Sequence, residues 1–196
     1  MAFGRVGVVV AGALIVGLAG PAGAQSGKPG PDEMIINPPF ANWAQFKPGT
    51  TVTQREVVSL PDGRRLEQTI TYKLVQKNNA RVVVESTVKD KIAGTGESTR
   101  TVSTYPAKVK MSEVSTETGP DATVNEGKED MTVKGRKLAV EWVEAVTKSG
   151  DETWTEKMWT AREIPGGVVK QTLVHKRGDK VVTESVLEMI DFRPGS

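Results

Sequence analysis

The sequence predicts a mainly β protein, an antiparallel meander forming a curved sheet or half-open β-barrel with one short N-terminal helix. From Thr51 onward, segments rich in Val, Thr and Ile are separated at fairly even intervals by turn residues, the grammar of strands joined in hairpins. Several segments alternate apolar and polar side chains, which sets one sheet face against a core and the other in water. The one stretch with helical spacing, NPPFANWAQFKPGT, stands ahead of all of them.

The chain opens with Arg5 as a positive n-region, an uncharged apolar run from Val6 to Ala19, and Ala22-Gly23-Ala24 in the small-x-small form that signal peptidase accepts. These features predict a signal peptide over 1–24 and an exported protein, periplasmic or extracellular. The apolar run of about 14 residues is shorter than the roughly 18 or more that a membrane-spanning helix requires, and its glycines weaken it further. No transmembrane span is therefore expected after cleavage. Gln25 to Asp32 holds two Gly and two Pro among polar companions and cannot bury enough surface to offset the cost of ordering. A flexible linker is expected over 25–36, followed by a single antiparallel β domain over 37–196.

In the helical stretch Asn37 can cap, Pro38 suits the first turn, and Pro48-Gly49 stops the helix. Phe40, Trp43 and Phe46 then fall on one side of a helix over Asn37 to Lys47, suited to covering one end or face of the sheet. The turn signals that follow are Asp62-Gly63, Asn78-Asn79, Gly94 to Gly96, Gly119-Pro120, Gly135, Gly150-Asp151, Gly166-Gly167 and Gly178-Asp179. Asp-Gly and Asn-Asn favour type I′ turns, whose twist matches that of paired strands.

Between these turns Leu66, Ile70, Tyr72 and Leu74 alternate with Glu67, Thr69, Thr71 and Lys73. Val82, Val84 and Val88 oppose Arg81, Glu85 and Lys89, while Leu138, Val140 and Trp142 oppose Glu141. Thr153 to Ala161 and Val181 to Phe192 carry apolar residues on both faces, which predicts strands covered on both sides. Ser112 to Arg136 has few large apolar residues and several breakers; it reads as a mobile acidic connection holding a short strand around Met131 to Val133.

The chemistry-bearing inventory is thin. The chain has no cysteine, which excludes disulfides, thiolate metal sites, cysteine nucleophiles and a lipid-modified cysteine. Its 26 basic and 24 acidic residues are interleaved, which argues against a nucleic-acid groove or a polybasic membrane patch. The single histidine, His175, excludes a multi-histidine metal site by count and has no recognisable triad spacing. No nucleophile elbow, P-loop or dinucleotide fingerprint occurs. Glu126, Glu129 and Asp130 sit beside Gly127, but without the spacing of a calcium loop. Glu141, Glu144, Asp151, Glu152 and Glu156 flank a hairpin bearing Trp142, Trp154 and Trp159. Carboxylates near tryptophans suit a sugar site, and outward glutamates over packed tryptophans explain them as well. No catalytic residue, metal or cofactor is expected, and the protein is expected not to be an enzyme.

Two stretches, NPPFANWAQFKPGT and EKMWTAREIPGGVVKQ, resemble small exported bacterial proteins of unknown function in which a tryptophan-phenylalanine segment opens the domain and an (I/V)-Pro-Gly-Gly junction comes near its end. In strand order and in that turn the chain also resembles, at the level of fold, the periplasmic lipoprotein carriers of the LolA/LolB type. That resemblance implies a half-open barrel holding acyl chains under helical cover. It implies a concave face lined by Leu66, Ile70, Leu74, Val82, Val84 and Trp142, with Phe40, Trp43 and Phe46 closing over it.

The first expectation for function is a binding or carrier module for an apolar small molecule or lipid. The second is an envelope protein acting through contacts with another envelope protein. The third is a hydrolase using paired carboxylates among Glu141, Glu144 and Glu156.

Overall fold

The computed structural model describes residues 30–90, 98–114 and 122–196. The expected signal peptide and the turn signals at Gly94 to Gly96 and Gly119-Pro120 lie outside the described residues. In chain order the elements are β1 (Met34–Ile36), α1 (Pro38–Ala44), β2 (Thr51–Ser59), β3 (Arg65–Lys77), β4 (Arg81–Asp90), β5 (Ser98–Pro106), β6 (Lys108–Lys110), a 3-10 turn (Met111–Glu113), β7 (Thr123–Val133), β8 (Arg136–Ser149), β9 (Glu152–Thr160), β10 (Val168–Arg177) and β11 (Lys180–Arg193).

Nine strands form one antiparallel sheet in the order β5-β4-β3-β2-β11-β10-β9-β8-β7. It consists of two meanders joined where β2 pairs with β11, from Thr51 opposite Arg193 to Ser59 opposite Glu184. The first and last strands of the sheet thus lie side by side in its middle. The edges β5 and β7 do not pair with each other, so the sheet is not closed into a barrel. The chain between them carries β6, which pairs with β1 in a separate two-stranded ribbon. Met34 to Ile36, expected to end the linker, are therefore a strand: their backbone finds a partner in 108–110, a segment far away in sequence.

The helix is shorter than its expected span, and Asn37 caps it only by position. Its side chain makes no capping bond; Nδ2 donates to the carbonyl of Pro106 at 2.9 Å, and its backbone N–H donates to Ala107. Asn37 thereby pins the start of the helix to the end of edge strand β5. Trp43 is 5% exposed and heads a buried cluster with Val52, Leu74, Val82, Val84, Leu138, Val140, Ile164, Val169 and Met189. Phe40 and Phe46 pack against this cluster, and Phe46 meets Phe192 edge-on at 6.2 Å between centroids.

The Pro165-Gly166-Gly167 turn is the other half of the helix seat. Gly166 and Gly167 both have positive φ, which L side chains avoid. A Cβ on Gly166 would stand 3.3 Å from the Trp43 indole, and one on Gly167 would stand 3.1 Å from the Asn42 amide. The tryptophan-phenylalanine segment and the Pro-Gly-Gly junction thus meet because the turn's missing side chains let the helix approach.

Two expectations about local structure are corrected. The Asn78-Asn79 turn uses no positive φ; the Asn78 side-chain oxygen instead accepts from the N–H groups of Ala80 and Arg81, both at 2.9 Å. That bonding holds the turn without a type I′ backbone. The expected mobile connection through 112–136 is, from Thr123 onward, an eleven-residue edge strand paired with β8 along its length. Its polarity follows from its place at the rim, where most of its side chains face water.

Candidate functional site

Register assigns every sheet residue to one of two faces, because directly opposed residues point the same way. On β2, Val52 belongs to the buried cluster beneath the helix, so Gln54, Glu56 and Val58 share the helix-bearing face, here the inner face. One rung of it runs Gln68, Glu56, Leu187, Gln171, Met158, Val143 across β3, β2, β11, β10, β9 and β8. The next runs Leu66, Val58, Ser185, Leu173, Glu156, Ala145. Farther out lie His175 and Trp154, directly opposed and stacked at 4.9 Å with an interplanar angle of 4°.

The inner face has two zones. At the helix end it is closed core: Leu74, Val82 and Val84 are buried under Trp43. A cleft of about 90 Å³ opens there, lined by residues including Arg136, Leu138, Ile164, Met189 and Phe192. Such a cleft has room for a few water molecules and none for a hydrocarbon chain. Beyond the helix, Leu66, Ile70, Val58, Leu173, Leu187 and Trp154 are half-buried and stand outside the buried cluster. This second zone is the candidate site.

Polar groups are set into it in two clusters. Glu56 accepts from the Gln68 amide and from Ser185 Oγ at 2.9 Å. Glu156 Oε1 accepts from Gln171 Nε2 at 2.6 Å. Burial pushes the Glu156 carboxyl above its usual pKa, opposed by the Gln171 bond. Burial also raises the Tyr72 phenol, deeper on the same face, with Tyr105 and Glu56 adding to it. At the outer end Glu152 pairs with His175 and with Arg177, whose Nε donates at 2.7 Å, and these bonds hold its carboxyl below the usual range.

The residues expected to line a concave face divide three ways. Phe40, Trp43, Phe46, Leu74, Val82 and Val84 belong to or pack on the buried cluster, whereas Leu66 and Ile70 lie in the open zone. Trp142 stands apart. It shares its face of β8 with Leu138 and Val140, both in the buried cluster, and opposes Trp159, which packs against that cluster beside the bulge at Val168/Lys170 of β10. There Lys157 Nζ sits 4.0 Å above the Trp142 ring and 4.9 Å from the Trp159 ring, and the Trp159 indole N–H donates to Glu129. Alternation along β8 thus sets Trp142, half-buried, on the same side as Leu138 and Val140, at the rim of the core rather than within it.

Sequence reading did not single out Val58, Leu173 and Glu56, and it took Glu156 as one of several hairpin carboxylates rather than as the partner of Gln171. The signal was the i, i+2 series Val52, Gln54, Glu56, Val58, masked by Val57 on the other face.

No protein-family model matches the chain, and no curated protein matches it in sequence. Among solved structures it is similar to a Bacteroides fragilis protein described as exported and as having a YmcC-like fold, at 13% identity and a TM-score of 0.43, covering 76% of this chain and 97% of that one. It is similar to a Parabacteroides distasonis protein described as a lipoprotein, at 10% identity and a TM-score of 0.45, with 79% and 98% covered. A LolA superfamily protein from Nitrosomonas europaea is similar at 9% identity and a TM-score of 0.29, with 83% and 95% covered. The resemblance to exported and LolA-type proteins is one of fold, at a distance.

Proposed function

We propose that the chain is an exported, non-enzymatic binding protein whose inner sheet face holds an apolar ligand such as a lipid. One observation carries this: beyond the helix the inner face is neither core nor solvated surface. Leu66, Val58, Leu173, Leu187 and Trp154 are half-buried on one face with no place in the buried cluster. A sheet face facing water alone is normally polar, and a contiguous apolar area marks a binding site. Export rests on Arg5, the apolar run to Ala19 and Ala22-Gly23-Ala24.

A binding role fits these carboxylates better than paired-carboxylate hydrolysis. Glu144 opposes Lys157 on the outer face, while Glu156 is on the inner one. Glu141 opposes Thr160, four residues along β9 from Glu156. That is about 13 Å of strand, wider than the roughly 5–9.5 Å that such pairs span.

The experiment is native against denaturing mass spectrometry of the mature protein purified without detergent from the cells that export it. The expected result is an extra mass released on denaturation and soluble in organic solvent. A ligand-free mass, with no uptake of a long-chain alcohol added afterwards, would overturn the proposal.

The edge strands favour a second reading, an envelope protein acting through protein contacts. Val102 on β5 is 58% exposed and Val124 on β7 is 49% exposed, and an unpaired strand edge is a template for another chain. Concentration-dependent sedimentation would support it, and a monomer at every concentration would count against self-association.

A further inference from the structure

We infer that the ligand of the inner face is an amphiphile whose polar end is a protonated amine, received by Glu156. The inference rests on the proposed function and adds the chemical class of the head group. Its basis is how charge is sorted between the two faces. Lys157 and Lys170, the lysines nearest Glu156 along β9 and β10, point outward: Lys157 lies over Trp142, and Lys170 pairs with Glu188 at 3.2 Å. Of the cations that register places on this face, Arg177 is already bonded to Glu152 and Lys77 to the Ala44 carbonyl, and Lys180 opposes Arg177 at the outer end of its strand. Glu156 is left with a neutral amide, Gln171, as its bonding partner among the described residues.

A carboxylate set into an apolar face without a cation is costly, and an incoming ammonium would supply the missing charge through a charge-assisted hydrogen bond. Trp154, two residues away on the same face of β9, adds an aromatic ring of the kind that attracts cations. The neighbouring Leu173, opposite Glu156, and Val58 and Leu66 on the same rung supply wall for the hydrocarbon part. A carboxylate or phosphate head group would meet Glu156 as a like charge and is disfavoured at this position.

The test is isothermal titration calorimetry at neutral pH of the mature protein with decylamine, 1-decanol and decanoate, each below its critical micelle concentration. The amine is expected to bind about tenfold more tightly than the alcohol, the increment of one well-made charged contact, with decanoate weakest. Glu156→Gln should remove the preference for the amine over the alcohol, and Glu188→Gln on the outer face should leave the order intact. Equal affinity for all three ligands, or preference for decanoate, would overturn the amine assignment while the apolar site stands. Binding of none of the three would overturn the proposed function itself. The head-group order is read on the unmutated protein, so it does not depend on the variants folding.

Discussion

The Trp142 indole lies against the backbone of Gly127, directly opposite it on β7, so closely that a Cβ on Gly127 would stand 2.6 Å from Cζ2 of the ring. Glycine ordinarily weakens a strand; here it makes room for an aromatic ring. Gly127→Ala should therefore destabilise by about 1–3 kcal/mol, the range for overpacking, and should alter Trp emission. In a Trp142→Ala background the penalty should vanish, and a double-mutant cycle by denaturant melts measures that coupling. Additive effects would show that the ring does not rest on Gly127.

Asn37 looks like a helix cap and acts as a strand tether. Losing its 2.9 Å bond to the Pro106 carbonyl should cost about 1–2 kcal/mol in Asn37→Ala. Serine is as good a cap as asparagine but too short to carry an amide to Pro106. Asn37→Ser should therefore melt like Asn37→Ala, and a serine variant as stable as the parent would show that capping was the role after all.

The two tryptophans that sequence reading assigned to one apolar face should differ in stability. Trp43 is 5% exposed within the buried cluster, so Trp43→Ala should cost about 3–5 kcal/mol. Trp142 is half-buried at the rim of the core and should cost less, about 1–2 kcal/mol. Chemical denaturation of the two variants side by side checks the order, and equal losses would mean that Trp142 belongs to the core.

That contrast shows what was legible in the sequence. Period-2 patterning of Leu66 to Leu74 and Val82 to Val88, with glycine turns between strands, was enough for a mainly β meander, because each signal is local. How deeply Trp142 is buried depends on which strands and turns lie over it, and no local pattern encodes that. Strand β7 was legible only at its Met131 to Val133 end because a rim strand has one ladder partner and little core to fill, so Thr123 to Asp130 carry few apolar residues. The Glu56 cluster was hidden for another reason: Val57 opposes Val186 on the outer face, which blurred the alternation on both strands.

Glu156 and Glu152 should leave opposite marks on the pH dependence of stability. Burial raises Glu156 above the ordinary value of 4.5, so folding favours the protonated form. Its contribution is fully present below about pH 4.5 and is lost as pH rises through the folded pKa. Glu156→Gln, which keeps the Gln171 partner and removes the charge, should therefore gain stability relative to the parent as pH rises from 4 to 7. Glu152 is lowered from 4.5 by its bonds to His175 and Arg177, so its contribution is present above about pH 4.5 and lost as pH falls through the lower folded pKa. Glu152→Gln should lose stability at neutral pH, and the deficit should shrink in acid. Urea melts of the three proteins across pH 3 to 8 test both signs. If the Glu156→Gln curve runs parallel to the parent's, the carboxyl is not desolvated by the inner face, and the argument for a cation-seeking site there loses its support.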